Sequence, residues 1–384
     1  MTNRSVRLMS ALFAAALFAL HPADLESQRP GKLPVAFNKR LVGTINGKLA
    51  VTVNINRLDS GLVGNYYYDD KKIPIEFGEG SAISLDGAVR LVEGHYDTQT
   101  WEWIATGIFE GEFTSAHEIK GKWRNPKTGA QYEFELRESY PEGLTALEMI
   151  SERQSWGDCG GRPCLETSYA YPVFKLMAGG EAESRLNKEM REKAFLGLSD
   201  MSGYDPERSY SNLAEITLDI ARSYKEEKDN YPGEEAPTWA SHSRVTVDFI
   251  VGDVASVNAS IYQFSGGAHG SEGSILLPID LRSGSVLHLN DILKPGAERK
   301  LKAVGEKLFR KANGIGAKEK LSDAGYSFEE GKFFLPENFY VRPDGLKFKY
   351  QQYEIAPYAM GAPELVIPYS EIRDLIRMDS PIGK

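Results

Sequence analysis

The chain has 384 residues, more than the roughly 250–300 at which a single hydrophobic core stops growing, so more than one domain is expected. Hydrophobic residues make up 41% and charged residues 26%, which excludes a mostly disordered or fibrous chain. Acidic residues number 54 against 45 basic ones, a net charge of −9 that disfavours general phosphate-backbone binding and favours basic partners.

Arg4 and Arg7 precede an apolar run from Leu8 to Leu20. That run is short for a membrane span and has the length of a secretory signal core, so residues 1–23 read as a signal peptide with cleavage after Ala23. His21 fits the small-residue rule poorly, and an uncleaved anchor is the alternative. The expected location is periplasmic or secreted. Cys159 and Cys164 bracket Gly-Gly-Arg-Pro, a turn-forming tetrapeptide, and read as a local disulfide in an oxidising compartment. Closing so short a loop stabilises by ~2 kcal/mol or less. A redox pair or half a metal site are the alternatives, but the spacing is long for the first and further ligands are missing for the second.

From Arg40 to Arg137 the apolar period is two, punctuated by glycine. Asn46-Gly47 between two alternating runs is a type I′ hairpin signal. Roughly eight or nine strands at intervals of about 8–12 residues follow, with no helical periodicity. A Gly-x-aromatic unit recurs at Gly64/Tyr66, Gly107/Phe109, Gly111/Phe113 and Gly121/Trp123. A meander of this size tends to close, because closure removes exposed edges. Residues 40–138 are therefore expected to form an up-and-down barrel, similar to the small lipocalin-like modules of exported bacterial proteins. Such a barrel either carries a small apolar ligand or is filled by its own side chains. Trp101, Trp103 and Trp123 read as core or rim, and His95 and His117 as solvated histidines.

Beyond Tyr140-Pro141 the texture changes, and residues 139–168 read as a connector carrying the disulfide hairpin. Thr167–Phe174 is a strand. Glu181–Leu198 is an amphipathic helix with Leu186, Met190, Ala194 and Leu198 on one stripe, and a second helix runs from Leu213 to Lys228. Strands at 244–251 and 254–264 turn at Gly252-Asp253; further strands, a basic helix at 298–312 and a last helix at 370–377 complete the chain. The fold class is α+β overall, an all-β N-terminal half followed by a mixed module with a largely antiparallel sheet. We divide that module into 169–264 and 265–378.

In this half Ile261-Tyr-Gln-Phe-Ser-Gly-Gly-Ala-His-Gly270, Pro278-Ile-Asp-Leu-Arg-Ser-Gly284, Leu289-Asn-Asp-Ile-Leu293 and Tyr353-Glu-Ile-Ala-Pro-Tyr-Ala-Met-Gly361 stand out. Together they resemble the extracytoplasmic domain shared by the anti-sigma-V lysozyme-receptor factor and by PdaC-type peptidoglycan deacetylases, over residues 165–378. The resemblance implies an exported binding module, with a basic wall-active protein such as lysozyme, or peptidoglycan fragments, as partner. The sigma-binding segment of the first relative and the metal-dependent catalytic domain of the second have no counterpart in this sequence, so neither activity carries over.

Gly266, Gly267 and Gly270 flank Ala268-His269 where a strand leaves the sheet; paired glycines permit a turn or bulge with positive φ. His269 reads as a structural group packed in the sheet, or as a base or metal ligand with Glu272, His288 or Asp291. No nucleophile elbow and no H-E-x-x-H helix accompanies it. The binding candidates are Gly266, Gly267, His269, Gly270, Tyr353 and Tyr358; Tyr353, Tyr358 and Tyr369 are each divided between a contact surface and core use. No catalytic residue, metal or cofactor is assigned. The expected function is a non-catalytic envelope binding protein; a hydrolase or deacetylase centred on His269 and a small-molecule carrier acting through the barrel are the alternatives.

Overall fold

The computed structural model describes residues 33–58, 61–97, 100, 102–229 and 238–382. The signal-peptide segment and Trp101 lie outside them. Nine strands form the first sheet: β1 (Phe37–Ile45), β2 (Leu49–Leu58), β3 (Gly61–Tyr68), β4 (Ile75–Phe77), β5 (Ala82–Ile83), β6 (Ala88–Tyr96), β7 (Trp103–Ser115), β8 (Glu118–Arg124) and β9 (Gln131–Glu138). Their order is β4-β3-β2-β1-β9-β8-β7-β6-β5, and a β4–β6 pairing at Phe77 and Glu93 closes eight of them into the expected antiparallel barrel, with β5 a stub beside β6. Asn46 and Gly47 carry φ of 58° and 62°, the left-handed pair that the first hairpin requires. Gly111 and Gly121 face each other across β7 and β8; a Cβ on Gly121 would stand 2.2 Å from the Glu110 carbonyl oxygen. Gly64, Gly111 and Gly121 of the repeating unit thus stand where strand backbones approach closely, and Gly107 makes room for the Glu93 carboxylate.

The inward face of the barrel is packed by its own side chains. Tyr66, Phe77, Phe109 and Phe134 meet with ring centroids 5.2–5.9 Å apart. Glu93 is buried among them and takes hydrogen bonds from Tyr66 and from Trp123 Nε1. His117 is solvated, as read from the sequence, its side chain 71% exposed; it also meets Glu138 at 2.8 Å because the β8–β9 register brings Glu138 beside the turn that holds it.

The second sheet runs β10 (Leu144–Trp156), β11 (Leu165–Leu176), β12 (Trp239–Val251), β13 (Val254–Phe264), β14 (Ser271–Asp280) and β15 (Ser285–Val286), in that order. Much of the stretch read as a connector is therefore strand, β10 and the start of β11: Ile150 is exposed while Glu152 and Gln154 are half-buried, which breaks the alternation. The disulfide between Cys159 and Cys164 closes the β10–β11 turn, with Cα atoms 5.1 Å apart. Strands β11 and β12 are parallel; the crossover between them carries α1 (Gly180–Leu196) and α2 (Leu213–Lys228). Leu186, Met190, Ala194 and Leu198 are buried together with Ile216, Ile220 and Tyr224 against Phe174, Val245, Val257 and Ile279. One face of this sheet therefore buries on helices, and the other is left to meet the rest of the molecule.

The third unit comprises α3 (Leu289–Ile292), α4 (Glu298–Ala312), the sheet β16 (Phe339–Val341), β17 (Gly345–Lys349), β18 (Glu364–Pro368), and α5 (Tyr369–Ile372). Phe309 on α4 is its centre, ringed by Tyr326, Phe328, Phe333 and Tyr350. The last helical stretch, α5 continued by a 3-10 turn at Arg373–Leu375, ends two residues short of the expected 377. Ile376 pairs with Leu293 in an isolated bridge, and that pairing draws the chain out of helical conformation.

Asparagines join the barrel to the second sheet. A bulge at Val247–Phe249 in β12 leaves backbone carbonyls facing the barrel wall. Asn38 and Asn56 both donate to the Val247 carbonyl, at 3.0 and 3.2 Å, and Asn65 donates to that of Asp248 at 3.3 Å. Tyr67, Phe249, Leu276 and Tyr340 pack beside them. No helix among the described residues is long and apolar enough to cross a membrane.

Candidate functional site

The signature segment is the β13–β14 connection. Gly266 and Gly267 have φ of 107° and 93°, which side-chain-bearing residues rarely adopt, so the turn needs both glycines. Gly270 is required for space instead: a Cβ there would lie 2.5 Å from the Tyr262 ring. This turn projects His269 into solvent. Its Nδ1 lies 2.9 Å from the Gly270 carbonyl oxygen, so Nδ1 carries the hydrogen and Nε2 is left as the acceptor. The ring stacks on Tyr358 at 4.0 Å and 21°, and Tyr353 stands 5.9 Å from Tyr358.

The expectation that His269 packs in the sheet is corrected by this arrangement: the glycines carry it beyond the last β13–β14 pair, where no sheet neighbour can cover it. Three of the six candidates, His269, Tyr353 and Tyr358, converge on one aromatic patch, although Tyr353 and Tyr358 are more than eighty residues away in sequence. Tyr353 is 61% exposed. Tyr369 does not join it: its hydroxyl donates to the Arg342 carbonyl, at the base of the third sheet. Of the posited partners, Asp291 accepts from the His288 backbone at 2.7 Å, so these two cap α3. Glu272 lines a neighbouring groove. Among the described residues no group of three or more His, Cys, Asp or Glu side chains is placed to hold a metal ion.

That groove was not legible in the sequence. Its floor is the helix-free face of the second sheet, in cross-strand rows: His242, Tyr262 and Glu272; then Arg244, Ser260 and Ser274; then Thr246, Asn258 and Leu276. Two cavities, of about 280 and 430 Å³, share Arg244, Ser260 and Lys349 and so form one continuous cleft. The deeper one is walled by the barrel through Asn56, Asn65 and Glu76, and by the third sheet through Tyr340, Arg342, Lys347 and Glu364. Tyr340 donates to Asp248 at 3.2 Å, and Lys347 and Lys349 pair with Glu364 at 2.7 and 3.4 Å.

Burial, and then the Asp248 carboxylate, push Glu76 up to about 7. Burial raises Asp248 as well. Burial acts upward on Glu364 too, but the ammonium groups of Lys347 and Lys349 outweigh it and hold that carboxyl below its usual range. A carboxyl whose folded-state value exceeds its unfolded one binds its proton more tightly when folded. Stability from Glu76 is therefore fully present below about pH 4.5 and lost as pH rises through about 7. Glu76→Gln is expected to flatten this window and to stabilise the protein above pH 7 by on the order of 1 kcal/mol, since water in the cleft screens the group. Thermal melts of both proteins from pH 4 to 8 check it; parallel profiles would refute the assignment.

Two family models match the chain: one described as "Deacetylase PdaC" over residues 160–272, and one of a protein family of unknown function, DUF3298, over residues 290–370. No curated protein matches. Among solved structures, a DUF3298 family member from Bacteroides fragilis is 24% identical with a TM-score of 0.50, covering 64% of this chain and 98% of its own. A DUF3298 family protein from Pseudomonas aeruginosa is 23% identical with a TM-score of 0.43, covering 60% and 94%. The first likeness concerns the fold. The two family models, with the signature residues, mark a PdaC-type segment followed by a DUF3298-type segment in the C-terminal half, a combination that suggests an envelope-associated protein.

Proposed function

We propose that this protein is a non-catalytic binding protein of the bacterial envelope, exported by residues 1–23, and that it holds a basic wall-active protein of the lysozyme type on the patch formed by His269, Tyr353 and Tyr358. The observation that carries this reading is the solvent-facing stack of His269 on Tyr358. Aromatic side chains held rigid and exposed are the usual anchors of protein recognition, with large contact area and little rotamer entropy to lose. His269 is held rigid in this way, its Nδ1 by the neighbouring backbone carbonyl and its ring by a tyrosine. The acidic chain adds long-range attraction for a basic partner.

Calorimetric titration of lysozyme into the purified protein tests this. Saturable heat that weakens with salt is expected, with Tyr358→Ala binding about 30-fold more weakly, as for a buried aromatic anchor worth about 2 kcal/mol. A flat lysozyme trace overturns the partner, and saturable heat from peptidoglycan fragments in its place would move the patch to glycan recognition.

A further inference from the structure

The groove beside the patch has a chemistry of its own. Arg244 stands where the two cavities meet, and among the described residues its guanidinium has no ion-pair or hydrogen-bond partner, although every other cation of the cleft is matched to a carboxylate. A guanidinium left unmatched in a concave site is a ready receptor for a carboxylate, which it binds through two parallel hydrogen bonds. Around it the lining is dense in hydroxyls and amides: Ser260, Asn258, Gln351 and Gln352. Tyr262, 37% exposed, offers a phenol ring at the shallow end, with the His242 imidazole stacked beside it at 6.2 Å. A ligand complementary to this surface carries many hydroxyls, one apolar ring face and one negative charge.

We propose that the groove is a binding site for an acidic saccharide, whose carboxylate is held by Arg244 with Lys349 across the cleft, and one of whose sugar rings lies on Tyr262. Successive rows of the floor are about 7 Å apart along the strands, so the Tyr262 row and the Arg244 row are separated by about the width of one pyranose ring. The shallow cavity of about 280 Å³ takes that ring, and the barrel wall closes the far end of the groove. Glu272, at the rim beside Tyr262, accepts a sugar hydroxyl and repels a second carboxylate there, which sets the direction of the ligand. This inference goes beyond the lysozyme reading: it concerns the sheet face rather than the loop tip, and either can fail without the other.

The test is titration of the full chain with glucuronate and galacturonate, and with glucose and galactose as neutral counterparts. Expected are saturable binding of the uronates, at least tenfold weaker binding of the neutral sugars, and at least a tenfold loss for the uronates in Arg244→Gln with the neutral sugars unchanged. Tyr262→Ala should weaken acidic and neutral sugars alike. Equal affinity for acidic and neutral sugars in the wild-type protein overturns the proposal, and that comparison needs no variant to fold. Undiminished uronate binding by a folded Arg244→Gln overturns it as well, as does binding of a diglutamyl peptide where uronates do not bind.

Discussion

Replacing Phe109 by alanine should lower the stability of the barrel by about 3–5 kcal/mol, a large part of the 5–15 kcal/mol that holds a typical domain folded. Phe109 is 0% exposed and touches Tyr66, Phe77 and Phe134 at once, so four strands lose a shared ring when it goes. The ring lies in the closed interior, where the surrounding strands are tied by hydrogen bonds on both edges and cannot collapse into the space. Urea denaturation, with hydrogen exchange followed on barrel peptides, measures the effect. A loss below about 1.5 kcal/mol would mean that the interior repacks freely and that the aromatic cluster is not what fills it.

Asn56→Leu is expected to cost about 2–3 kcal/mol and to uncouple the barrel from the second sheet. Asn56 is 1% exposed; it accepts from Asn38 and donates to the Val247 carbonyl. Leucine has nearly the same size but neither donor nor acceptor, so the substitution leaves buried polar groups on both sides of the joint without a partner. The expected signature is a single unfolding transition splitting into two, the first assigned to the barrel, with cleavage by protease appearing between residues 138 and 144. A variant that melts in one unshifted transition would show that the apolar contacts of Tyr67, Phe249, Leu276 and Tyr340 hold the joint alone. Because the same barrel strands wall the groove, Asn56→Leu should also weaken whatever binds there.

Much of this architecture was legible before any coordinates. Period-two alternation, the Asn46-Gly47 turn and the Gly-x-aromatic repeats pointed to a closing meander, because a strand buried on one face must alternate and a tight turn must place residues at positive φ. The stripe of Leu186, Met190 and Ala194 announced the buried face of α1. Strand β10 escaped because Ile150 sits on its open face while Glu152 and Gln154 are half-buried, so the period of two is broken. The shortened last helix escaped because a bridge to a residue far away in sequence, Leu293, set its end.

What the sequence by itself determined is local: strands, turns, the disulfide loop, helix faces and a family signature, each a matter of neighbours within a few turns of chain. What only the tertiary structure decided is convergence. His269 meets Tyr358, 89 positions further along the chain, because two separate loops end on the same side of the molecule. Arg244, Lys349 and Glu76 line one cleft because a β-bulge and three barrel asparagines dock the first sheet against the second. Each of these side chains is an ordinary surface residue in its own strand. Long-range packing brings them together in a water-filled cleft; partial burial there, beside the Asp248 carboxylate, is what raises Glu76, and Arg244 is left without a carboxylate partner among the described residues.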